Sequence, residues 1–447
     1  MCGIFAVYSR KKSNDVINSV INNLKLLQHR GKDGCGISYM NNKNQLTLYK
    51  VLGKVRDVFD KYENNDETNI CIGHVRYSTS GKTMKNNIKN NDKQNELQPF
   101  IGENSNKDKI SIVHNGNIPN IKSHDTQYIL NIILSSKDTI ENTLIKIVNE
   151  IPASYCLLLI VNNKLYVVRD RYGVRPLSYG FIDNDIYISS ETRALNDCHT
   201  VNHIDSGSIH RIDENGINLV YKHKNRIEGI CLFEILYFMN PYSYYRDEMI
   251  SDIRMKIGEI LAKKEDCLFD DNYVVVGIPS SGLMYAEGYS NYLKLENKRY
   301  VKKTESCLNG EDRTFILLND ALRKEACRKK FKFDERLKNK NVIIIDDTIV
   351  RGNVMKTIIE SLRLMGVNEI HIRIPSPPVV DVCQLGIAIQ NKEELIMNNR
   401  TIEDVRNILN VDSLRYLELK DFDFISKDCY SECFGGGIHE DIVNYHI

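Results

Sequence analysis

Hydrophobic and polar positions follow two different patterns along the 447 residues. Up to about residue 225, short apolar runs alternate with Asn- and Gly-rich breaks. Ile110-Ser111-Ile112-Val113 leads into His114-Asn115-Gly116, and Ser154–Val161 ends at Asn162-Asn163. Asn-Asn and Asn-Gly between apolar runs predict tight turns joining antiparallel strands. Helical periodicity intervenes at Val16–Leu27 and Asp125–Leu134, so the first half reads as layered α+β. From about residue 255 the texture changes. Tyr273–Val276 and Val342–Ile345 are continuous apolar runs, each followed by a polar loop and a helical pattern. That predicts a parallel α/β sheet buried on both faces. The helix after the second run continues through Lys356–Met365 and stops at Gly366, a residue suited to a left-handed helix C-cap. The Lys- and Asn-rich stretch Lys82–Asp92 reads as a mobile surface loop.

Composition narrows the class. The length suffices for two or three domains with full cores. Sixty Lys+Arg against 59 Asp+Glu leave a net charge of +1. This balance offers no electrostatic footprint for nucleic acid or an anionic membrane, so an anionic ligand must be met by local clusters. No apolar run reaches the ~18 residues of a membrane span, and no basic-then-apolar leader opens the chain. Twelve Cys at irregular spacing suit a reducing compartment better than a disulfide scaffold. The expectation is a cytoplasmic protein.

Cys2 stands directly after the initiator Met in Met1-Cys2-Gly3-Ile4-Phe5. Removal of Met1 leaves a cysteine bearing both a thiol and a free α-amine. An unperturbed α-amine titrates at about 7.7–8.0 and can take the thiol proton, as in N-terminal Thr enzymes. In Gly73–Thr79, Arg76 is a fork able to grip a carboxylate. Asn115 supplies an amide and Gly116 a backbone N–H, a pair able to hold an oxyanion. Asp125 precedes a helical pattern and can receive an ammonium; taken alone it reads as a helix cap, as Asn115-Gly116 reads as a turn.

A second constellation is Ile343-Ile344-Ile345-Asp346-Asp347-Thr348-Ile349-Val350-Arg351-Gly352-Asn353. An apolar strand delivers two carboxylates to its C-terminal edge, where open α/β sheets bind ligands. Two carboxylates can accept from a ribose diol or hold Mg²⁺. The Thr348 hydroxyl and the N–H groups of the loop entering the next helix suit a phosphate.

In their order, Met1–Phe5, Leu27–Gly34, Gly73–Thr79, His114–Asn117 and Arg169–Leu177 resemble the N-terminal-nucleophile glutamine amidotransferases. The resemblance implies an αββα sandwich hydrolysing glutamine. Cys2 would be the nucleophile, Asn115 and Gly116 the oxyanion hole, and Arg76 and Asp125 the grips on the glutamine carboxylate and amine. The Lys/Asn-rich insertion falls in the family's loop that closes over glutamine. Asp346–Asn353 resembles the phosphoribosyl pyrophosphate signature of type I phosphoribosyltransferases, in the form carried by the amidophosphoribosyltransferase family, with Thr348 and Asn353 at positions usually Ser and Thr. By the same resemblance Ser281 and Gly282 belong to a pyrophosphate loop in which Ser280 replaces an acidic residue. The Arg313 segment resembles the family's flexible closing loop, and Arg328 and Lys330 resemble a basic pair that meets the pyrophosphate.

The fold expected is therefore a glutaminase domain over residues 2–230 and a phosphoribosyltransferase domain with a C-terminal extension over 231–447. The resemblance implies an enzyme that passes ammonia from glutamine to phosphoribosyl pyrophosphate with Mg²⁺, as a homotetramer under purine-nucleotide feedback. Some members carry a [4Fe–4S] cluster; Cys231, Cys383 and Cys433 fall in matching contexts, and Cys429 makes a Cys-x-x-x-Cys where the family has Cys-x-x-Cys. A hexosamine-phosphate synthase has no use for the Asp346–Asn353 cradle, and a non-catalytic relative would have no need to keep Cys2 and both Asp residues.

Overall fold

The computed structural model describes residues 2–77, 95–121, 124–297, 301–303 and 331–445. The first half holds β1 (Gly3–Ser13), β2 (Gly34–Met40), β3 (Leu46–Leu52), β4 (Thr68–Arg76), β5 (Phe100–Glu103), β6 (Lys109–Asn117), β7 (Ser154–Val161), β8 (Lys164–Arg169), β9 (Ser178–Ile182), β10 (Asp185–Ser189), β11 (Thr200–His203), β12 (Ser208–Asp213) and β13 (Gly216–Lys222). They form a seven-stranded sheet, β11-β9-β10-β1-β4-β2-β3, and a six-stranded one, β13-β12-β8-β7-β6-β5. Alternation along each strand decides the layering. Ile4 and Ala6 of β1 pack with Leu158 and Ile160 of β7 between the sheets. Phe5 and Val7 face outward onto the helix Asp15–Leu26 through Val16, Ile17, Val20 and Leu24. Leu157 and Leu159 meet the helices Asp125–Ser135 and Ile140–Glu150. Both faces of both sheets are thus apolar, and the product is the expected αββα sandwich.

One expected turn is absent. The apolar run at Ile110 does not stop at His114-Asn115-Gly116; β6 runs on through Asn117, pairing Asn115 with Cys156 and Gly116 with Tyr155. Gly116 is demanded by closeness instead, since a Cβ there would lie 2.0 Å from the Ser154 carbonyl oxygen. Asn162, at φ 52°, does make the predicted hairpin turn between β7 and β8.

In the second half, five parallel strands stand in the order Glu296–Asn297, Tyr273–Gly277, Asn341–Ile345, Glu369–Ile374, Ser413–Tyr416. Val275, Ile343 and Ile345 face the helices Ile250–Lys263 and Leu283–Leu293. Val274, Val276, Val342 and Ile344 face Asn353–Met365 and Ile402–Leu409. Continuous apolar runs are what a sheet covered on both faces requires. The order 2-1-3-4-5 has its switch point between Tyr273–Gly277 and Asn341–Ile345, and the loops after these two strands open the crevice where such sheets bind ligands. Gly366, at φ 86°, closes the helix Asn353–Met365.

The two halves share a core. Tyr172 and Val174 pack in one cluster with Cys231–Phe233, Tyr430 and Phe434. The tail returns to the sandwich, where Asp441 accepts from Arg171 Nη2 at 2.8 Å and Tyr172 Oη at 3.2 Å. Among the described residues no helix is long and apolar enough to cross a membrane.

Candidate active sites

β1 and β4 run antiparallel with Gly3 opposite Val75, so Cys2 and Arg76 emerge at the same sheet end. The Cys2 Sγ lies 3.8 Å from the Tyr77 carbonyl oxygen, and the Cys2 carbonyl accepts from Arg30 Nε at 2.9 Å. Arg76 already grips a carboxylate, donating from Nη2 to Glu96 Oε2 at 2.6 Å. β6 brings Asn115 from the facing sheet. It is fully buried, and among the described residues neither its amide nitrogen nor its oxygen has a hydrogen-bond partner. A buried polar group without a partner is costly unless a ligand completes it. Asp125 opens its helix 3.6 Å from His114 Nδ1 and 3.5 Å from His124 Nδ1. Burial alone pushes its carboxyl upward, yet His114 and His124 hold it well below the usual range. His74 is held well below the imidazole range, first by burial and then by the charges of Arg76, His114 and His124. Cys2, Arg76, Asn115 and Asp125 thus stand around one end of the sandwich, with His74, His114 and His124 among them.

Behind Cys2 lies a buried ion cluster. Arg30 is fully buried and donates to Glu191 and, from Nη1 and Nη2, to Glu234 at 3.1 and 2.7 Å. Glu191 also receives His29 Nε2 at 2.9 Å, the Asn240 N–H at 2.8 Å and the Ser243 hydroxyl at 2.8 Å. Arg175 stands 3.5 Å from Glu234 and donates from Nη2 to the Leu385 carbonyl. Asn117 Nδ2 reaches the Gln384 carbonyl at 2.7 Å. The Cys2 backbone is therefore tied through Arg30 to residues of the second half. Arg175 lies within the Arg169–Leu177 motif, whereas Glu191, after the apolar run of β10, carries no spacing signal.

The second site is a cavity of about 470 Å³ at the switch point, lined by residues 346–355, Ser280 and Ser281, and by Phe233, Tyr237 and Phe238. Asp346 and Asp347 are buried at the end of the central strand. Ser281 Oγ donates to Asp346 Oδ1 at 2.5 Å, and Thr348 Oγ1 to Asp347 Oδ2 at 2.8 Å. Burial, and then the Asp346 charge, raise the Asp347 carboxyl well above its ordinary range. A diol or a divalent cation would relieve that pair. Gly282 and Gly352 cap helices that begin at Leu283 and Asn353, so two helix N-termini meet the loops of one crevice. A Cβ on Gly282 would lie 2.0 Å from the Ile345 carbonyl oxygen. Val350, Arg351 and Asn353 line the cavity, Arg351 paired with Glu394. Ser280 holds φ 75°, a left-handed position with no Gly to ease it. Arg313, Arg328, Lys330 and Lys82–Asp92 lie outside the described residues.

All four candidate cluster cysteines join one apolar core, Cys231 and Cys433 as members and Cys383 and Cys429 packed against it. A short parallel pairing sets Ile230 beside Cys429 and Cys231 beside Tyr430. Burial, then the neighbouring Cys231, push the Cys383 and Cys429 thiols up to about 12. The Leu385 and Ile387 N–H groups donate to Cys383 Sγ at 3.3 and 3.4 Å. Among the described residues, no three of these sulfurs lie within 4.8 Å of one another, so they do not form a site for a single ion.

An αββα sandwich with Cys2 at its sheet end, joined through a buried ion cluster to the crevice of a parallel sheet, is the frame of a glutamine-dependent transferase of two domains. Comparison with known proteins agrees. The glutamine amidotransferase domain family matches residues 85–197 and the phosphoribosyl transferase domain family residues 247–375. The amidophosphoribosyltransferase of Methanocaldococcus jannaschii is 35% identical over 94% of this chain and 93% of its own length. That of Methanothermobacter thermautotrophicus is 33% identical, covering 94% and 89%. A solved structure of the allosteric regulatory enzyme of purine biosynthesis superposes with a TM-score of 0.84 at 26% identity, covering 98% of this chain and 96% of its own. The glutamine phosphoribosylpyrophosphate amidotransferase of B. subtilis, solved with ADP and GMP, gives 0.82 at 26%, covering 97% and 95%. The chain belongs to the amidophosphoribosyltransferase family.

Proposed function

We propose that the chain transfers ammonia from glutamine to 5-phosphoribosyl 1-pyrophosphate, giving 5-phosphoribosylamine, pyrophosphate and glutamate, at the first committed step of purine synthesis. The observation that carries this reading is the pairing of two sites in one chain: Cys2 with the unpartnered Asn115 amide, and Asp346–Asp347 at the switch-point cavity. After loss of Met1, the α-amine of Cys2 takes the thiol proton. The thiolate then attacks the glutamine side-chain carbonyl, and Asn115 Nδ2 with the Gly116 N–H hold the oxyanion. The carbon–nitrogen bond breaks, the proton returns to the leaving ammonia, and water hydrolyses the thioester to glutamate. Arg76 holds the substrate carboxylate, for which Glu96 is its partner in the structure, and Asp125 holds the amine. In the cavity, Asp346 and Asp347 accept from the ribose hydroxyls while the Thr348 hydroxyl and the loop Val350–Asn353 take the phosphate; Ser281 and Gly282 flank the pyrophosphate. Ammonia attacks C1 as pyrophosphate leaves.

Mg²⁺ would be held by Asp346 and Asp347 with the substrate's phosphates, where it neutralises charge on the leaving pyrophosphate. Cys231, Cys383, Cys429 and Cys433 fit a [4Fe–4S] cluster. Four thiols share one core, Cys383 is met by two N–H donors, and the buried Arg175 keeps Nε and Nη1 without hydrogen-bond partners beside Cys231 and Cys383. Such a cluster would tie the chain where the domains meet; neither half-reaction needs an electron. The glutaminase domain is taken as 2–230 and the phosphoribosyltransferase domain, with its extension, as 231–447. Cytoplasmic location, assembly as a homotetramer and purine-nucleotide feedback belong to the same reading.

The test is Cys2→Ala. Glutamine-dependent synthesis should vanish while ammonia-dependent synthesis continues, because ammonia needs only the second site. Equal loss of both in a folded variant would defeat the two-site scheme.

A further inference from the structure

Arg76, the fork at the Cys2 end of the sandwich, is paired with a carboxylate of its own chain. Its Nη2 donates to Glu96 Oε2 at 2.6 Å; the Arg76 side chain is buried and that of Glu96 is 29% exposed. The backbone beside Glu96 is firmly seated. Leu97 and Gln98 are buried. The Leu97 carbonyl accepts from Lys50 Nζ at 2.8 Å, and Gln98 Oε1 accepts from the His114 N–H at 2.6 Å. β2 approaches so closely that a Cβ on Gly36 would lie 2.4 Å from the Gln98 carbonyl oxygen. Glu96 is thus delivered to the fork by the strands that build the site, β6 with its Asn115 among them. Arg76 is fixed in turn, its carbonyl accepting from the Asp33 N–H at 3.1 Å.

Asp125 belongs to the same end. Burial lowers the His124 imidazole, and the charges of Asp125 and Glu96 act against it, so both acids bear on one histidine. The head of an amino acid carries an ammonium and a carboxylate. Asp125 can meet the ammonium directly. The carboxylate can take the Nη2 edge of Arg76 only by exchange with Glu96. Such an exchange keeps Arg76 paired throughout, so no buried guanidinium is left uncompensated. The released Glu96 carboxylate, being partly exposed, turns to water. A ligand whose head lacks a negative charge has nothing to exchange.

Resting on the reading of Arg76 as the grip on the glutamine carboxylate, we infer that Glu96 is a specificity-determining residue: it fills the Arg76 fork as an internal carboxylate that glutamine must displace, and so sets the demand for a free α-carboxylate. The free-energy difference between the two pairings enters the glutamine KM, because the site accepts the substrate carboxylate only in the fraction of molecules whose fork is open.

The experiment uses the full chain and measures steady-state amide hydrolysis of glutamine and of glutamine α-methyl ester, whose carboxylate is masked. The proteins are the wild type, Glu96→Gln, Glu96→Ala, Arg76→Met and the double variant Arg76→Met with Glu96→Gln. Both Glu96 variants should lower the glutamine KM about three- to tenfold, the range for losing a partly exposed charged pair, with a smaller change in kcat, and should leave the ester KM unchanged. In the Arg76→Met background, Glu96→Gln should bring no gain. A residue that merely supports the fork would give the opposite sign, a raised glutamine KM. An unchanged glutamine KM in Arg76→Met would overturn the reading of Arg76 and this inference together. A raised KM in Arg76→Met, with a raised or unchanged KM in both Glu96 variants, would overturn only the role of Glu96. An equal gain for glutamine and its ester would also overturn it, since the effect would then not pass through the fork. Glu96→Ala decides the matter should Glu96→Gln fail to fold.

Discussion

Replacing Arg30 by Met tests whether the buried ion cluster holds the two domains and the nucleophile together. The side chain is fully buried, and so are its partners Glu191 and Glu234. Met keeps much of the volume and deletes the charge. Removing one member of a buried pair costs about 3–5 kcal/mol, because the remaining charge is left uncompensated. The two carboxylates are not left equally badly off. Glu191 retains His29, the Asn240 N–H and the Ser243 hydroxyl, whereas Glu234 retains Arg175 at 3.5 Å. The penalty therefore falls mainly on Glu234, and Arg30→Met with Glu234→Gln should cost less than the sum of the single variants. At about 2–4 °C per kcal/mol, the single variant should melt roughly 6–20 °C below the wild type at pH 8.

The pH dependence gives an independent check. In the wild type, burial pushes the Glu191 carboxyl up, but His29 and Arg30 hold it well below the usual range. A carboxylate depressed on folding stabilises the fold above its unfolded value, about 4.3, and loses that contribution as pH falls through the folded value. Without Arg30 the signs reverse. Buried carboxylates short of a partner are raised above their unfolded value, so their penalty is present at high pH and relieved as pH falls. The gap between variant and wild type should be smaller at pH 5.5 than at pH 8. Glutamine-dependent synthesis should also fall further than ammonia-dependent synthesis, since Arg30 Nε holds the Cys2 carbonyl. Melting by circular dichroism at both pH values and the two synthesis assays measure this. A variant within about 2 °C of the wild type at both pH values, with both activities reduced alike, would refute the argument.

Three further outcomes are expected. Asp347→Asn should weaken phosphoribosyl pyrophosphate binding by about 1.5–3 kcal/mol, the scale of a hydrogen bond to a charged group, as read by titration calorimetry, while glutamine hydrolysis persists. Asp125→Asn should raise the glutamine KM about tenfold or more with a smaller change in kcat, because in the proposed scheme the lost charge serves the substrate amine and not the reacting carbonyl; steady-state kinetics would contradict it by showing an unchanged KM. Protein purified without oxygen should be brown with about four iron per chain, and Cys383→Ser should lose both colour and thermal stability; colourless, iron-free and fully active wild type would remove the cluster.

Residue chemistry and local periodicity were legible along the chain. Short apolar runs broken by Asn and Gly predicted layered α+β, and the unbroken runs after residue 255 predicted a parallel sheet covered on both faces, while the αββα arrangement was implied by the resemblance of the motifs. Cys2, Arg76, Asn115, Asp125 and Asp346–Asn353 were legible as candidates because each sits in a contiguous motif, and the order of those motifs along the chain carried the resemblance that assigned them roles. Gly116 shows the limit. Its neighbour Asn115 made it read as a turn, but the close approach of the Ser154 carbonyl on the adjacent strand is what requires a glycine there. Arg30, Glu191 and Glu234 show it more fully. They lie 161 and 204 residues from Arg30 along the chain, and a lone charge in an apolar stretch has no period or spacing to announce its partner. Folding of the sandwich sets Glu191 beside Arg30, and the docking of the second half adds Glu234, so that the three charges meet away from water. The sequence by itself set the elements and offered the candidate reacting groups; the tertiary structure decided which side chain the Cys2 backbone leans on, and that His29 and Lys32 of the first half line the cavity that holds Asp346 and Asp347.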